Sequence, residues 1–185
     1  ECFVGVVYFQ ISTTTFFGIL SDERLHSFHP EYFSNTKKLY DKGWRGINID
    51  ANPDTIDLFN ELRPDDINLN FAISDVEGID DYYKFLEIDS AGGGSGNTLS
   101  KSVKEGYEKE GLSTTTIKIQ MKQLKNILEK YSSGKTIDFL NVDVEGFDLK
   151  ALQSNDWQKF RPKIMAVEIW MHQINYDQLE KNMVY

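Results

Sequence analysis

The amino-acid sequence predicts an α/β fold with a mainly parallel, doubly wound sheet, and three observations support this class. Short apolar runs that are typical of buried strands alternate along the chain with amphipathic or charged helical patterns. Two of these runs, residues 44–50 and 137–143, end in an acidic residue shortly before a helical pattern begins. The 185 residues are 40% hydrophobic, which is enough for a domain with a substantial core. No internal repeat or domain boundary is visible, so we expect a single domain over residues 1–185.

The first half of the chain predicts strands from its β-branched and aromatic residues and helices from its capping residues. The predicted strands are residues 1–20, 44–50 and 67–73. The first helix covers residues 36–42 behind Ser34 or Asn35 as the N-cap. The second helix begins at Pro53, behind the N-cap Asn52. Each capping side chain offers an oxygen atom to the backbone N–H groups of the first helical turn.

The second half of the chain continues the alternation of strands and helices. Its predicted strands are residues 82–88, 114–120, 137–142 and 161–169. Its predicted helices are residues 102–110, residues 121–131, the pattern formed by Phe147, Leu149 and Leu152, and residues 170–185. Residues 89–96 are rich in Gly and Ser and lack the Lys-Ser/Thr ending of a P-loop, so we expect a mobile lid or a linker there.

The composition argues against several classes of function. A net charge of -9 repels the phosphate backbone, so nucleic acid is not expected as a partner. The single cysteine, Cys2, excludes an intrachain disulfide, and His26, His29 and His172 have no ligand spacing, so no metal site is predicted. Residues 2–20 are uncharged but interrupted by polar residues, so a membrane segment is not expected. These features favour a cytoplasmic location.

The acid at the end of the second predicted strand, Asp50, suggests a nucleoside-bearing ligand. An ionised carboxylate accepts two hydrogen bonds from a ribose diol, each charge-assisted and worth about 1.5–3 kcal/mol. In open α/β sheets this position commonly contacts ribose. The next strand ends at Ile73 and Ser74, where an apolar wall beside a polar group suits a purine base. The alternative is that Asp50 only caps the helix behind Pro53.

Further carboxylates follow the later strands. Asp143, Glu145 and Glu168 come from two strand ends and are predicted to line the same crevice. Clustered carboxylates raise one another's pKa, which prepares one of them to act as a general base. The alternative is that Asp143 and Glu145 only cap the helix that follows, because acids are favourable near a helix N-terminus.

Five segments of the sequence together resemble the FkbM-type methyltransferases. They are residues 33–36, 42–53, 72–74, 98–100 and 138–146, and the likeness covers roughly residues 29–169. The resemblance implies the class I Rossmann-like fold, S-adenosyl-L-methionine as cofactor, and O-methylation of a small hydroxylated or sugar-like acceptor. That reaction requires orientation of the reactants and removal of the hydroxyl proton, and it requires no metal.

The resemblance also implies roles for individual residues. Asp50 would bind the ribose hydroxyls, and Ile73 and Ser74 would flank the adenine. The implied cofactor-binding residues are His29, Asp50, Asn52, Ile73, Ser74 and Asp143. Asp143 and Glu145 would lie near the methionine end of the cofactor and the acceptor, and are the implied catalytic residues.

Two departures from the family pattern define the alternatives. The family places an acid-x-Gly-Ala turn before the segment that contains His29, where an ungapped count finds Arg24, His26 and Ser27; Asp22 is the substitute acid if the loop is longer. We therefore expect an atypical N-terminal part (residues 1–28) and a truncated C-terminus that lacks the family's closing antiparallel hairpin. A non-catalytic or decayed relative is the first alternative. A nucleotide-sugar transferase that uses Asp143 and Glu145 as metal ligands is the second.

Overall fold

A computed structural model describes residues 5–9, 30–31, 34–85, 97–132, 134–144 and 146–167. Predictions that concern residues 10–29, 86–96 and 168–185 lie outside this part of the chain. Its strands are β1 (Gly5–Phe9), β2 (Arg45–Asp50), β3 (Ile67–Asn70), β4 (Ala72–Ile73), β5 (Gly78–Phe85), β6 (Thr114–Lys122), β7 (Ile137–Val142) and β8 (Ile164–Val167). Its helices are α1 (Lys37–Asp41), α2 (Pro53–Leu62), α3 (Lys101–Lys109), α4 (Leu124–Tyr131) and α5 (Asp148–Gln153).

Two sheets organise the described residues. The larger sheet has the strand order β3-β2-β1-β7-β8, and every neighbouring pair in it is parallel. The smaller sheet has the order β4-β6-β5, in which β4 runs parallel and β5 antiparallel to β6. The α/β class predicted from the sequence is confirmed, and the smaller, mixed sheet is an addition to it.

The prediction of one continuous strand over residues 67–73 is wrong. The segment forms β3 and β4, which belong to different sheets. The N–H of Phe71 donates back to the carbonyl of Leu69 at 3.2 Å, and the side chain of Asn70 donates to the carbonyls of Asp50 and Ala51. These bonds end the pairing of β3 with β2, so the two residues that follow are able to pair with β6 instead.

The boundary between β6 and the next helix also differs from the prediction. Met121 was expected to begin the helix, but Met121 and Lys122 extend β6, and α4 begins at Leu124. Met121 pairs with Ala72 on one side and with Gly78 on the other, and its side chain is buried like that of Ile119 two residues earlier. Pairing on both sides holds the backbone extended, although the local pattern is amphipathic.

The predicted capping residues match the start of α2 but not that of α1. The side chain of Asn52 accepts from the N–H of Asp54 at 3.2 Å, and Pro53 occupies the first turn of α2, as predicted. The hydroxyl of Ser34 accepts from the N–H of Lys37 at 3.2 Å at the start of α1. The N-cap of α1 is nevertheless Thr36, which makes no side-chain capping bond, so the prediction of Ser34 or Asn35 as the N-cap is wrong, whereas the prediction of Asn52 for α2 is confirmed.

One apolar core connects the two sheets. Its largest fully buried members are Tyr82, Leu124, Leu128, Leu140 and Val142, and it also contains Ile49, Ala51 and Ile73. The core therefore places the end of β2, the end of β7 and β4 close to one another. Within the described ranges, no helix has both the length and the apolar character that crossing a membrane requires.

Candidate functional site

Asp50 and Asp143 lie at the same level of one edge of the larger sheet. Tyr8 of β1 pairs with Asn48 of β2 on one side and with Asn141 of β7 on the other. Asp50 and Asp143 each follow two residues later, so they stand at the carboxyl ends of strands that flank β1. Because neighbouring strands are about 4.8 Å apart, the backbones of these two residues are roughly 10 Å apart. The structure therefore brings these two predicted acids to one edge.

The carboxylate of Asp50 holds the loop between β2 and α2. Its Oδ1 accepts a hydrogen bond of 2.7 Å from the N–H of Asn52, and the residue is 5% exposed. The capping side chain of α2 is that of Asn52. The capping bond of α2 is therefore made by Asn52, and Asp50 holds the N–H of that capping residue. The role of Asp50 in binding ribose stays a prediction.

Ile73 ends β4 of the smaller sheet and Ser74 follows it, three and four residues after Asn70, which pairs with Asp50. Ile73 belongs to the same core cluster as Ile49 and Ala51, and both Ile73 and Ser74 are buried. The hydroxyl of Ser74 donates to the carboxylate of Asp75 at 3.1 Å. Ile73 therefore belongs to the smaller sheet and not to a neighbour of β2 in the larger one, and the predicted contact of Ile73 and Ser74 with the adenine stays a prediction.

The loop after β7 is held by a residue that the sequence reasoning missed. The carboxylate of Asp148 accepts from the N–H of Val144 at 2.9 Å and from the N–H of Gly146 at 3.2 Å. Gly146 has φ +87°, a left-handed conformation that favours glycine. Burial raises the pKa of Asp148, against the opposing effect of these hydrogen bonds. The only signal in the sequence was an acid at the start of a predicted helix.

Asp143 does not cap the helix that follows it. It is half-buried at the end of β7, whereas α5 begins at Asp148 behind Phe147, which makes no side-chain cap. Asp143 is therefore not the N-cap residue of α5, and its catalytic role stays a prediction. Glu145 and Glu168 lie outside the described residues, as does His29, so their predicted roles stay predictions.

A buried arginine fixes the segment that leads into α1. Arg63 is 1% exposed and donates to the hydroxyl of Thr36 at 2.9 Å and to that of Ser34 at 2.7 Å. Its guanidinium also donates to the carbonyl of Pro30. No local pattern in the sequence indicates this role, because the partners of Arg63 are 27 to 33 positions away along the chain.

The same segment reaches β7. The side-chain amide of Asn35 donates to Oδ1 of Asn141 at 3.0 Å, two residues before Asp143. On the other side of β1, the amide of Asn48 donates to Asn68 at 2.7 Å and to Asp66 at 3.1 Å. Buried asparagines therefore lie at one level on both sides of β1, each two residues before a strand-end acid.

One of the segments that resemble the family, residues 98–100, has a structural role. Thr98 pairs through its backbone with Tyr83 of β5, and the hydroxyl of Ser100 accepts from the N–H of Val103 at the start of α3. Residues 98–100 therefore join β5 to α3. Among the residues that the structure describes, no cluster of three or more His, Cys, Asp or Glu side chains is placed to hold a metal ion.

The position of β1 bears on the expected departure from the family pattern near the N-terminus. β1 ends at Phe9, so the residues that directly follow this strand start at Gln10 and not at Arg24. The prediction that Arg24, His26 and Ser27 stand in the place of the family's glycine turn stays a prediction. Those three residues and Asp22 lie outside the described residues.

Comparison with known proteins identifies the family. The profile of the family described as the Methyltransferase FkbM domain matches residues 21–182, a range that contains Asp50, Asp143 and Asp148 but not β1. No curated protein and no solved structure gives a match. The profile covers well over half of the 185 residues and agrees with the resemblance noted in the sequence. The chain belongs to the FkbM methyltransferase family.

Proposed function

We propose that the protein is an S-adenosyl-L-methionine-dependent methyltransferase that methylates a hydroxyl oxygen of a small hydroxylated or sugar-like acceptor. The observation that carries the proposal is the placement of Asp50 and Asp143 at one level of one sheet edge, in a chain of this family. We interpret the larger sheet as a Rossmann-like, doubly wound arrangement. In such sheets ligands bind beyond the carboxyl ends of the strands, where the strand order reverses, which here is between β1 and β7.

The side chains at this edge fit the proposed cofactor. Asp50 supplies an acceptor for ribose hydroxyls, and its hydrogen bond to the N–H of Asn52 fixes the carboxylate before any ligand arrives. A group that is already ordered loses less conformational entropy on binding. Ile73 supplies apolar surface and Ser74 a polar group on the side where the adenine would lie.

The proposed reaction needs a proton acceptor and a fixed geometry. The cofactor, when bound, supplies a methyl group that its positive sulfur makes electrophilic. In this proposal Asp143, half-buried beyond β7, contacts the methionine end of the cofactor and takes the proton of the acceptor hydroxyl. Glu145 supplies a second carboxylate from the same loop. Correct orientation of the reacting groups contributes most of the remaining rate enhancement.

The proposal is tested by calorimetric titration with S-adenosylhomocysteine, the demethylated cofactor. We expect binding in the micromolar range, and an increase in Kd of about 100-fold or more for Asp50→Ala, which loses two charge-assisted hydrogen bonds. Asp50→Asn keeps an oxygen for the N–H of Asn52 but has no charge, so it separates ligand binding from loop structure. It should bind almost as weakly as Asp50→Ala.

Asp65→Ala is the matched control. Asp65 is an exposed acid that pairs with Arg45 at the opposite end of β2, so its loss should leave the Kd unchanged. A wild-type protein that gives no heat at millimolar S-adenosylhomocysteine contradicts the proposed cofactor and favours the non-catalytic alternative. Wild-type affinity in both Asp50 variants contradicts the role given to Asp50.

A further inference from the structure

Asp148 forms hydrogen bonds backward along the chain. An acid in the first turn of a helix usually interacts with the N–H groups of that helix. Besides its own backbone N–H, the carboxylate of Asp148 accepts from the N–H groups of Val144 and Gly146, which precede α5. Both donors belong to the loop after β7 (residues 143–146), which carries Asp143 and Glu145. The carboxylate therefore closes this loop against the start of α5.

The helix that carries Asp148 is itself firmly attached. Ala151 is buried in the core, and the hydroxyl of Ser154 accepts from the N–H of Leu124 at 2.9 Å. The carbonyl of Ser154 accepts from the N–H of Lys125 at 3.2 Å, so the end of α5 is fixed to the start of α4. Asp148, only 6% exposed, therefore holds the loop from a rigid support.

We infer that Asp148 is a positioning residue for the methyltransferase site, because its carboxylate holds the loop that presents Asp143 at the same sheet edge as Asp50. The inference rests on the proposed function and adds a residue to it. Asp148 acts through the loop, since its carboxylate is engaged by the N–H groups of Val144 and Gly146. Without that carboxylate the backbone between Asp143 and Gly146 loses both restraints.

The test compares Asp148→Asn with Asp156→Asn. Asp156 lies beyond the other end of α5, is exposed, and accepts from the N–H groups of Gln158 and Lys159, so the same chemical change is made there away from the site. We expect Asp148→Asn to raise the Kd for S-adenosylhomocysteine about tenfold or more, and Asp156→Asn to leave it within about twofold of wild type. Equal Kd values for Asp148→Asn and wild type overturn the inference.

A double-mutant cycle separates positioning from general destabilisation. If Asp148 acts through the loop, Asp148→Asn should raise the Kd less in an Asp143→Ala background than in wild type. Identical factors in both backgrounds overturn the inference. Asp148→Glu keeps the charge but lengthens the side chain, and should raise the Kd less than Asp148→Asn. It also serves as the working variant should Asp148→Asn fail to fold.

Amide hydrogen exchange keeps this test independent of the proposed function. In unliganded protein, Asp148→Asn should speed the exchange of the N–H groups of Val144 and Gly146, and leave those of β2 unchanged. Unchanged exchange at Val144 and Gly146 overturns the positioning role whether or not the cofactor binds. Absence of S-adenosylhomocysteine binding by the wild type, with faster exchange in the variant, overturns the proposed function alone.

Discussion

The loops that follow β2 and β7 are held by different residues. After β2, the strand-end acid Asp50 itself accepts the N–H of Asn52, and Asn52 caps the helix that follows. After β7, the strand-end acid Asp143 is followed by a loop that Asp148 holds from within the next helix. That helix has no side-chain cap from Phe147.

The difference shows how binding and folding are coupled at each end. At the β2 end one carboxylate both shapes the loop and is proposed to bind the ribose, so a change of Asp50 affects both. At the β7 end the proposed chemistry belongs to Asp143 and the loop restraint to Asp148, so each can be altered separately. The variants below test that division, beginning with the largest expected effect.

Replacement of Arg63 by Met should cause the largest loss of stability. Arg63 follows α2, and it binds Pro30, Ser34 and Thr36 of the segment that also reaches β7. Met retains apolar volume but removes the charge-assisted hydrogen bonds and leaves their partners buried. We expect the free energy of unfolding to fall by about 3 kcal/mol, measured by urea denaturation.

Arg45→Met is the control for this change. Arg45 and Arg63 both lie over the ring of Tyr40, but Arg45 is partly exposed and pairs with the exposed carboxylate of Asp65. Exposed ion pairs contribute little, so we expect a loss below about 1 kcal/mol. Comparable losses of unfolding free energy in the two variants would show that Arg63 does not anchor the segment that contains Pro30, Ser34 and Thr36.

Local signals in the sequence were sufficient for much of the fold. Asn52 followed by Pro53 places the start of α2 correctly, because capping and the fixed φ of proline act within one turn. The apolar run before Asp143 predicts a buried strand, which β7 confirms. Both strand-end acids were also expected at one edge, because parallel strands end on the same side of a sheet.

Contacts between distant residues explain what the sequence did not reveal. The alternation of residues 67–73 continues through Phe71, so it contains no sign that Ala72 and Ile73 pair with Met121 and Lys122. The role of Arg63 depends on acceptors in another segment of the chain. The role of Asp148 depends on a turn at Gly146 that directs two N–H groups toward its carboxylate.

Gly146→Ala should have an intermediate effect, and Gly43→Ala is its matched control. Gly146 has φ +87° and Gly43, at the end of α1, has φ +88°. A side chain in this conformation costs about 1–2 kcal/mol, so both variants should lose similar stability in thermal or urea denaturation. Only Gly146→Ala should also weaken binding of S-adenosylhomocysteine, because only Gly146 belongs to the loop after β7. Equal effects of the two variants on the Kd would show that the loop after β7 has no special part in binding the ligand.

The pH dependence of stability provides the smallest and finest test. Burial raises the pKa of Asp148 above its ordinary value of 3.8, so the folded state holds this proton more tightly than the unfolded state. Stability from this group is therefore greatest below 3.8 and is lost as the pH rises through the raised pKa, after which it is constant.

The comparison is between wild type and Asp148→Asn, in which this group cannot titrate. In denaturant titrations from about pH 4 to about pH 7, the stability of wild type relative to the variant should fall with rising pH. The difference should be small, because the N–H groups of Val144 and Gly146 stabilise the charged form and offset part of the effect of burial. A relative stability that rises with pH would mean that those hydrogen bonds outweigh burial. The folded state would then favour the ionised form of Asp148, as it does for an exposed capping carboxylate, and the loop after β7 would be held most firmly by that form.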